Sequence, residues 1–179
     1  MKTERSLKSR ALQLLSQRDQ SRLELRRKLL RHAARERAAR REQPASRSGV
    51  AGEDDDDDSD PSAAAVEVDT LLTWLEANGF LSDARFAESR IHARAARFGN
   101  LRIRGELAQH GVAASAGAAE TLSASEPARA EVVRERRFGP PPESTAERAA
   151  QSRFLVARGF SPEVIHRLLR RLARADSEA

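Results

Sequence analysis

Three observations predict an all-α fold. Ala and Leu dominate the apolar residues beside abundant Arg and Glu, with no Tyr and only seven aromatic residues, a supply suited to helices rather than strands. Apolar positions recur at spacings of three and four. One helix-ending pattern, Leu-x-x-x-Gly followed by an apolar residue, occurs three times. Together they predict three tandem three-helix-bundle repeats forming an elongated, curved molecule, with a disordered acidic insertion in the first repeat.

The elements follow in chain order. Leu7, Ala11, Leu14 and Leu15 occupy one face of a helix ending near Gln17. Ser21 and Glu24 form a capping box at the start of a second helix, which buries Leu25, Leu29 and Leu30 and closes a hairpin with the first. From Arg35 the apolar stripe lapses. Residues 43–65 turn to Pro, Ser, Gly and a run of Asp, the composition of a disordered loop, and lengthening a surface loop to about two dozen residues costs only on the order of 1.5 kcal/mol. Val68, Leu71, Leu72 and Leu75, with Trp74 alongside, make a third helix that stops at Asn78-Gly79, and Phe80 is expected to point back onto it.

Ser82 and Asp83 cap a fourth helix with Ala84, Ala87 and Ile91 on one side and Phe86 beside them. Another runs from about Leu101 to His110 and ends at Gly111. The Ala- and Ser-rich stretch 113–126, with Leu122 its one strong hydrophobe, predicts a short helix, and 128–137 a separate one stopped by Gly139 and the triplet Pro140-Pro141-Pro142. Ala150, Phe154 and Ala157 are expected inward on the helix 146–158. Ser161-Pro162-Glu163 starts the last helix, whose stripe is Val164, Ile165, Leu168, Leu169 and Leu172.

The three recurrences are Leu75-x-x-x-Gly79-Phe80, Leu107-x-x-x-Gly111-Val112 and Leu155-x-x-x-Gly159-Phe160. Such repetition points to duplication. The implied units are 1–33 with 66–78, then 82–126, then 127–175, with 34–65 an Arg/Ala extension and the acidic insertion. Each is too small for a sizeable core of its own, so neighbours stack into a curved solenoid. At 39% hydrophobic and 33% charged over 179 residues, the apolar supply is too thin for one thick core.

The net charge is +5, yet seven carboxylates sit within 53–60, which leaves the rest of the chain at +12. That balance favours a nucleic acid, or a filament coated with one, over a solvated Arg-rich surface without a partner. The chain has no cysteine, and its four histidines (His32, His92, His110, His166) lack ligand spacing, so neither disulfide nor metal is expected. No apolar run spans a bilayer and no leader precedes the first helix, which predicts a cytoplasmic protein. Phosphate loop, nucleophile elbow, zinc motif and paired carboxylates are all missing from the sequence, so neither catalysis nor a cofactor is expected. The Asp run is read as a solvated insertion, with mimicry of DNA as the alternative.

Basic residues concentrate in three places: Arg85, Arg90, Arg94, Arg97, Arg102 and Arg104; then Arg134, Arg136 and Arg137; then Arg167, Arg170, Arg171 and Arg174. The second and third groups also suit helix C-termini, so the first is favoured as a binding surface. Phe98, between Arg97 and Gly99, is the aromatic residue without an evident packing role.

Leu81-Ser82-Asp83-Ala84-Arg85-Phe86-Ala87-Glu88-Ser89, the run 102–111, and Arg153-Phe154-Leu155 continuing through Arg158-Gly159-Phe160-Ser161-Pro162-Glu163-Val164-Ile165 resemble the RecX regulatory family. So do the hairpin 10–30 and the Arg137-Phe138-Gly139 turn. The resemblance implies three three-helix repeats, no catalytic activity, and binding in the groove of a RecA recombinase filament on DNA. It further implies inhibition of ATP hydrolysis and strand exchange and a limit on filament growth. The expected partners are the RecA filament and single-stranded or double-stranded DNA, with no membrane, the protein acting as a monomer. Because no motif fixes the family's contacts, clustering alone assigns Arg85, Arg90, Arg94, Arg97, Arg102, Arg104, Arg134, Arg136 and Arg137 to filament or DNA. The alternative is a basic helical DNA- or RNA-binding protein acting independently of RecA, and the third reading a structural helical adaptor.

Overall fold

The computed structural model describes residues 6–42 and 61–175. Among them are eight α-helices and no strand: α1 (Leu7–Gln17), α2 (Arg22–Glu42), α3 (Pro61–Ala77), α4 (Asp83–Ala95), α5 (Asn100–Gln109), α6 (Ala116–Phe138), α7 (Thr145–Ala157) and α8 (Pro162–Ala175). The acidic run 53–60 lies outside the described residues. The chain divides into two compact units, Met1–Asp83 and Ala84–Ala179.

In the first unit α1 begins where the Ser6 hydroxyl accepts from the Ser9 amide at 3.2 Å, an N-cap that satisfies one of the helix's orphan donors. Ala11 of α1, Leu25 and Leu29 of α2, Val68, Leu72 and Leu75 of α3, and Leu81 form one buried cluster. The α1–α2 turn is held by Gln20, whose amide donates to the Leu14 carbonyl at 2.8 Å and accepts from Lys28 Nζ at 2.9 Å. Ser21 caps α2 as its spacing predicts, accepting from the Glu24 amide at 3.1 Å. Arg26 grips Asp69 of α3 with two parallel bonds of 2.6 and 2.9 Å, and Arg22 pairs with Glu76.

Two boundaries in this unit differ from the sequence expectation. Helix α2 continues to Glu42, beyond the point where its stripe lapses, and α3 begins at Pro61 rather than near residue 66. Ala33 and Ala64 are buried, so the packing there uses methyl groups too small to register as a stripe. Phe80 points back onto α3 as expected, stacking on Trp74 at 5.8 Å, but it stays 47% exposed while Leu81 takes the core position.

The second unit has two clusters. Phe86 and Ala87 of α4, Ile103 and Leu107 of α5, and Leu122 of α6 form one. Ala130 and Val133 of α6, Leu155 of α7, and Phe160, Val164, Ile165, Leu168 and Leu169 form the other. Helix α6 therefore serves both, and the two helices expected on either side of residue 127 are one. Pro127 lies inside it, where a proline removes a backbone bond at a cost of roughly 3 kcal/mol. Arg129 lies across this stretch, donating to the Leu122 carbonyl at 2.9 Å and to Ser125 Oγ at 3.2 Å, and both clusters hold the helix in place. On α7 the buried positions are Gln151 and Leu155. Phe154 is half-buried and packs against the second cluster as expected, whereas Ala150 is only half-buried and Ala157 is exposed, so the inward face is shifted toward Leu155.

The three glycine stops share one geometry. Gly79, Gly111 and Gly159 all have φ between 70° and 78°, the left-handed region that glycine enters without strain. Phe80, Val112 and Phe160 donate to the carbonyls of Leu75, Leu107 and Leu155 at 2.9 to 3.2 Å, and each glycine to the residue after that leucine. These paired bonds are the Schellman arrangement.

The third stop does more than end a helix. The Gly99 amide donates to the Arg158 carbonyl and the Leu101 amide to the Gly159 carbonyl, each at 3.0 Å, so the α4–α5 and α7–α8 turns lie backbone to backbone. A Cβ on Gly99 would meet Phe160 Cα at 2.2 Å, and one on Gly159 would meet Arg102 Cβ at 2.5 Å. Glu126, only 4% exposed, completes the junction. Its Oε1 accepts from the Asn100 amide at 2.8 Å and the Ser161 amide at 3.2 Å, and its Oε2 from Ser161 Oγ at 2.9 Å. One carboxylate thus caps α5 and α8, where the helix dipoles favour negative charge.

Substituting either junction glycine by alanine is expected to lower stability by on the order of 3 kcal/mol, through overpacking and, at Gly159, an unfavourable φ. Gly79→Ala, with the same backbone but nothing within 4 Å of the added Cβ, should cost only about 1 kcal/mol. Urea denaturation followed by circular dichroism checks this, and equal losses at all three sites would contradict a tight junction.

The first unit also carries a pH dependence. Its bonds to Arg26 hold the Asp69 carboxyl below its ordinary 3.8. At Glu24 burial acts to raise the value, but Arg18 and Lys28 outweigh it and leave it below 4.5. Carboxyls depressed in this way stabilise the fold above their unfolded values, and the contribution is lost as pH falls through the folded ones. Stability of this unit, read from the fluorescence of Trp74, the chain's only tryptophan, should decline below about pH 4.5. Asp69→Asn should flatten that decline, and an unchanged profile would remove Asp69 from the account.

Candidate nucleic-acid interface

The cationic residues near the α4–α5 turn are organised around one carboxylate and one ring. Glu106 of α5 accepts from Arg94 Nε at 2.8 Å and from Arg102 Nε at 3.5 Å, with Arg90 Nε at 3.4 Å. Three guanidinium groups therefore share one negative charge, leaving a local surplus of positive charge. Phe98 lies in the turn with Arg102, Arg94 and Arg97 at 4.3, 5.5 and 5.6 Å from its ring centroid. Cations attracted to the ring quadrupole are held in place without being neutralised. Arg104 extends the group toward α6 through a 3.3 Å bond to Ser123 Oγ.

Among the residues that clustering singles out, the structure brings Arg90, Arg94, Arg97 and Arg102 together around Glu106 and Phe98. Arg85 is exposed in the first turn of α4, at the opposite end of that helix from Phe98. Arg134 is only 4% exposed. Its guanidinium donates to the carbonyls of Gly139 and Pro140 at 2.9 and 3.0 Å and lies 3.4 Å from Gln151 Oε1, which holds the proline-rich turn against α7. Arg136 and Arg137 are exposed in the last turn of α6. They line a cavity of about 230 Å³ with Arg97 and Arg158.

Two arginines outside the predicted set support this surface. Arg129 sends Nη1 to the carbonyls of Ala95 and Phe98 at 3.1 and 2.8 Å and Nη2 to Asn100 Oδ1 at 2.6 Å, fixing the turn that presents Phe98. Burial pushes its guanidinium below the ordinary value while Glu126 acts the other way. The sequence carries a faint signal for it in the Glu126–Arg129 spacing of three. Arg158 ends α7, donating to the Arg97 carbonyl at 3.3 Å and lying 4.6 Å from the Phe154 ring. Its only signal is its place before Gly159.

No group of three or more His, Cys, Asp or Glu among the described residues could hold a metal ion, and no described helix is long and apolar enough to cross a membrane. The surface is built of hydrogen-bond donors and positive charge, the chemistry that receives phosphate or carboxylate groups.

Family models match two segments, described as RecX, second three-helix domain, at residues 82–118 and RecX, third three-helix domain, at residues 125–169. The first segment ends and the second begins within α6, the helix that both hydrophobic clusters share. The chain is 46% identical over 166 residues to the regulatory protein RecX of Ralstonia nicotianae, covering 92% of this chain and 86% of that protein. It is 39% identical over 175 residues to the regulatory protein RecX of Herminiimonas arsenicoxydans, covering 97% and 94%. The crystal structure of RecX from Lactobacillus salivarius has the same fold, with a TM-score of 0.56 over 93% of this chain and 94% of that one at 17% identity. On its relatives and its two matched three-helix domains, the chain belongs to the RecX family of regulatory proteins.

Proposed function

We propose that this protein is a non-enzymatic negative regulator of RecA that binds the groove of the RecA–DNA filament in the cytoplasm, as a monomer. In this reading it inhibits ATP hydrolysis and strand exchange and limits filament growth. Membership of a family of regulatory proteins supports it, and the observation that carries it is the guanidinium group around Phe98, in which Glu106 offsets only part of the charge. Such a surface is complementary to a filament rich in phosphate and carboxylate. The functional division follows the hydrophobic clusters: α1 to α3, then α4 and α5 with the first half of α6, then the remainder.

The proposed regulator acts on an equilibrium between filament states, which it can shift only by as much as its affinities for those states differ. Exposed arginines held over an aromatic ring provide a pre-organised surface of that kind. Arg85, Arg90, Arg94, Arg97, Arg102, Arg104, Arg136 and Arg137 are its proposed contacts, while Arg134 serves the turn beneath them.

Single-stranded-DNA-dependent ATP hydrolysis by the cognate RecA, titrated with this protein at two salt concentrations, tests the proposal. Inhibition well below one molecule per RecA is expected. Arg97→Glu with Arg104→Glu, neither of them bonded to Glu106, should weaken inhibition at least tenfold with helicity unchanged. No inhibition by the wild-type protein beside tight, salt-steep binding to bare DNA would instead favour a DNA-binding protein acting without RecA.

A further inference from the structure

The cavity lined by Arg97, Arg136, Arg137 and Arg158 has an unusual balance of charge. Its other lining residues are Ala96, Val133 and Phe154, and no carboxylate takes part. No ion pair to any of the four arginines is found among the described residues. Each stands at or just beyond a helix C-terminus: Arg97 after α4, Arg136 and Arg137 in the last turn of α6, and Arg158 at the end of α7.

Helix C-termini attract cations, which is the ordinary reason for arginine in such places. Three termini supply only about half a negative charge each, against four full positive charges. The arrangement therefore keeps a surplus of about two and a half positive charges, and like charges gathered without a counter-charge repel one another. The surrounding contacts hold it nonetheless. Arg158 is fixed by its bond to the Arg97 carbonyl and by the Phe154 ring, and Phe138 meets Phe154 edge-on at 5.2 Å. Arg137 lies over Phe138 at 5.7 Å.

We propose that this cavity is a phosphate-binding site, and that its ligand is a phosphodiester of a nucleic-acid backbone. At about 230 Å³ it is smaller than the roughly 300–1,000 Å³ of pockets for drug-sized ligands, and it suits a small anionic group. Guanidinium forks approaching from three helix ends match the spread of oxygens on a tetrahedral phosphoryl group. The backbone of a strand is favoured over free phosphate because Arg97 belongs to two places at once. It lines the cavity and also lies over Phe98 beside Arg94 and Arg102, so the cavity continues into the Phe98 group as a track longer than one phosphate. The inference rests on the reading of this protein as a filament regulator and deepens it by assigning this part of the surface to the DNA rather than to RecA.

Binding of the full chain to a fluorescently labelled single-stranded oligonucleotide, followed by anisotropy over a range of salt, tests the site without RecA present. Arg136→Gln with Arg137→Gln should reduce affinity about tenfold and make the log–log salt slope shallower by about 0.7 for each phosphate no longer neutralised. Arg136→Lys with Arg137→Lys, which keeps the charge but not the guanidinium forks, should retain the slope while losing part of the affinity. Unchanged affinity and slope in the glutamine variant, with its helicity intact, would overturn the inference. Calorimetry with inorganic phosphate separates the sources: tight phosphate binding abolished in the glutamine variant while its DNA binding is unaffected would overturn the phosphodiester assignment in favour of free phosphate. The two proposals fail separately. Loss of DNA binding in the variant beside a wild-type protein that does not inhibit RecA would leave the cavity assigned and the regulatory reading refuted, whereas inhibition without any DNA effect would do the reverse.

Discussion

The second unit depends on the contact between two turns, 98–101 and 158–160. Two backbone bonds of 3.0 Å join them, and neither Gly99 nor Gly159 has room for a Cβ. The approach brings the start of α5 close to the start of α8, so two sets of unsatisfied amides face one region. A buried carboxylate there would carry a large desolvation cost if it lacked partners. Glu126 is stable in that position because the amides of Asn100 and Ser161 and the Ser161 hydroxyl all bond to it. The close turns and the buried acid are thus a single solution: removing the acid strands the amides, and widening the turns strands the acid.

The geometry of the cationic surface follows from that junction. Arg158 and Arg97 flank the two turns, Arg102 packs against Gly159, and Phe98 immediately precedes Gly99. Arg129 bonds the carbonyls of Ala95 and Phe98 from α6, so the turn bearing the ring is held from both sides. Positive charge is consequently displayed on backbone that has little freedom to rearrange, and less conformational entropy is then lost when a partner binds.

The sequence makes the helices and their endings legible because both are local. A capping serine, a stripe at spacings of three and four, and a left-handed glycine each act within a few residues, and the repeated Leu-x-x-x-Gly stops take the same hydrogen-bonded form wherever they occur. The continuity of α6 is hidden because Pro127 acts against a helix locally, while the packing that overrides it comes from two separate clusters. Phe80 and Phe160 occupy equivalent places after their glycines, yet one stacks on Trp74 at the surface and the other is buried. What distinguishes them is the neighbouring turn on which Phe160 closes, which periodicity does not encode. Glu126 is hidden for the same reason, its partners lying 26 and 35 residues away in sequence.

Arginine is abundant enough here that its count along the chain says little about what any one residue does. Arg134 and Arg129 resemble their neighbours in sequence, but both direct their donors inward, to carbonyls at helix ends and turns. A guanidinium is well suited to that use because its five donors can satisfy several carbonyls in one plane. Arg90, Arg94 and Arg102 stand between these cases, held by Glu106 yet exceeding it in charge. Arg136 and Arg137 are at the other extreme, exposed and without a carboxylate in their cavity. The division into framework, tethered and open arginines is set by where helix C-termini and carboxylates fall. A surface composed this way can tolerate exchange of its open members at little cost to the fold, whereas replacing Arg129 or Arg134 would remove donors that carbonyls at helix ends and turns depend on.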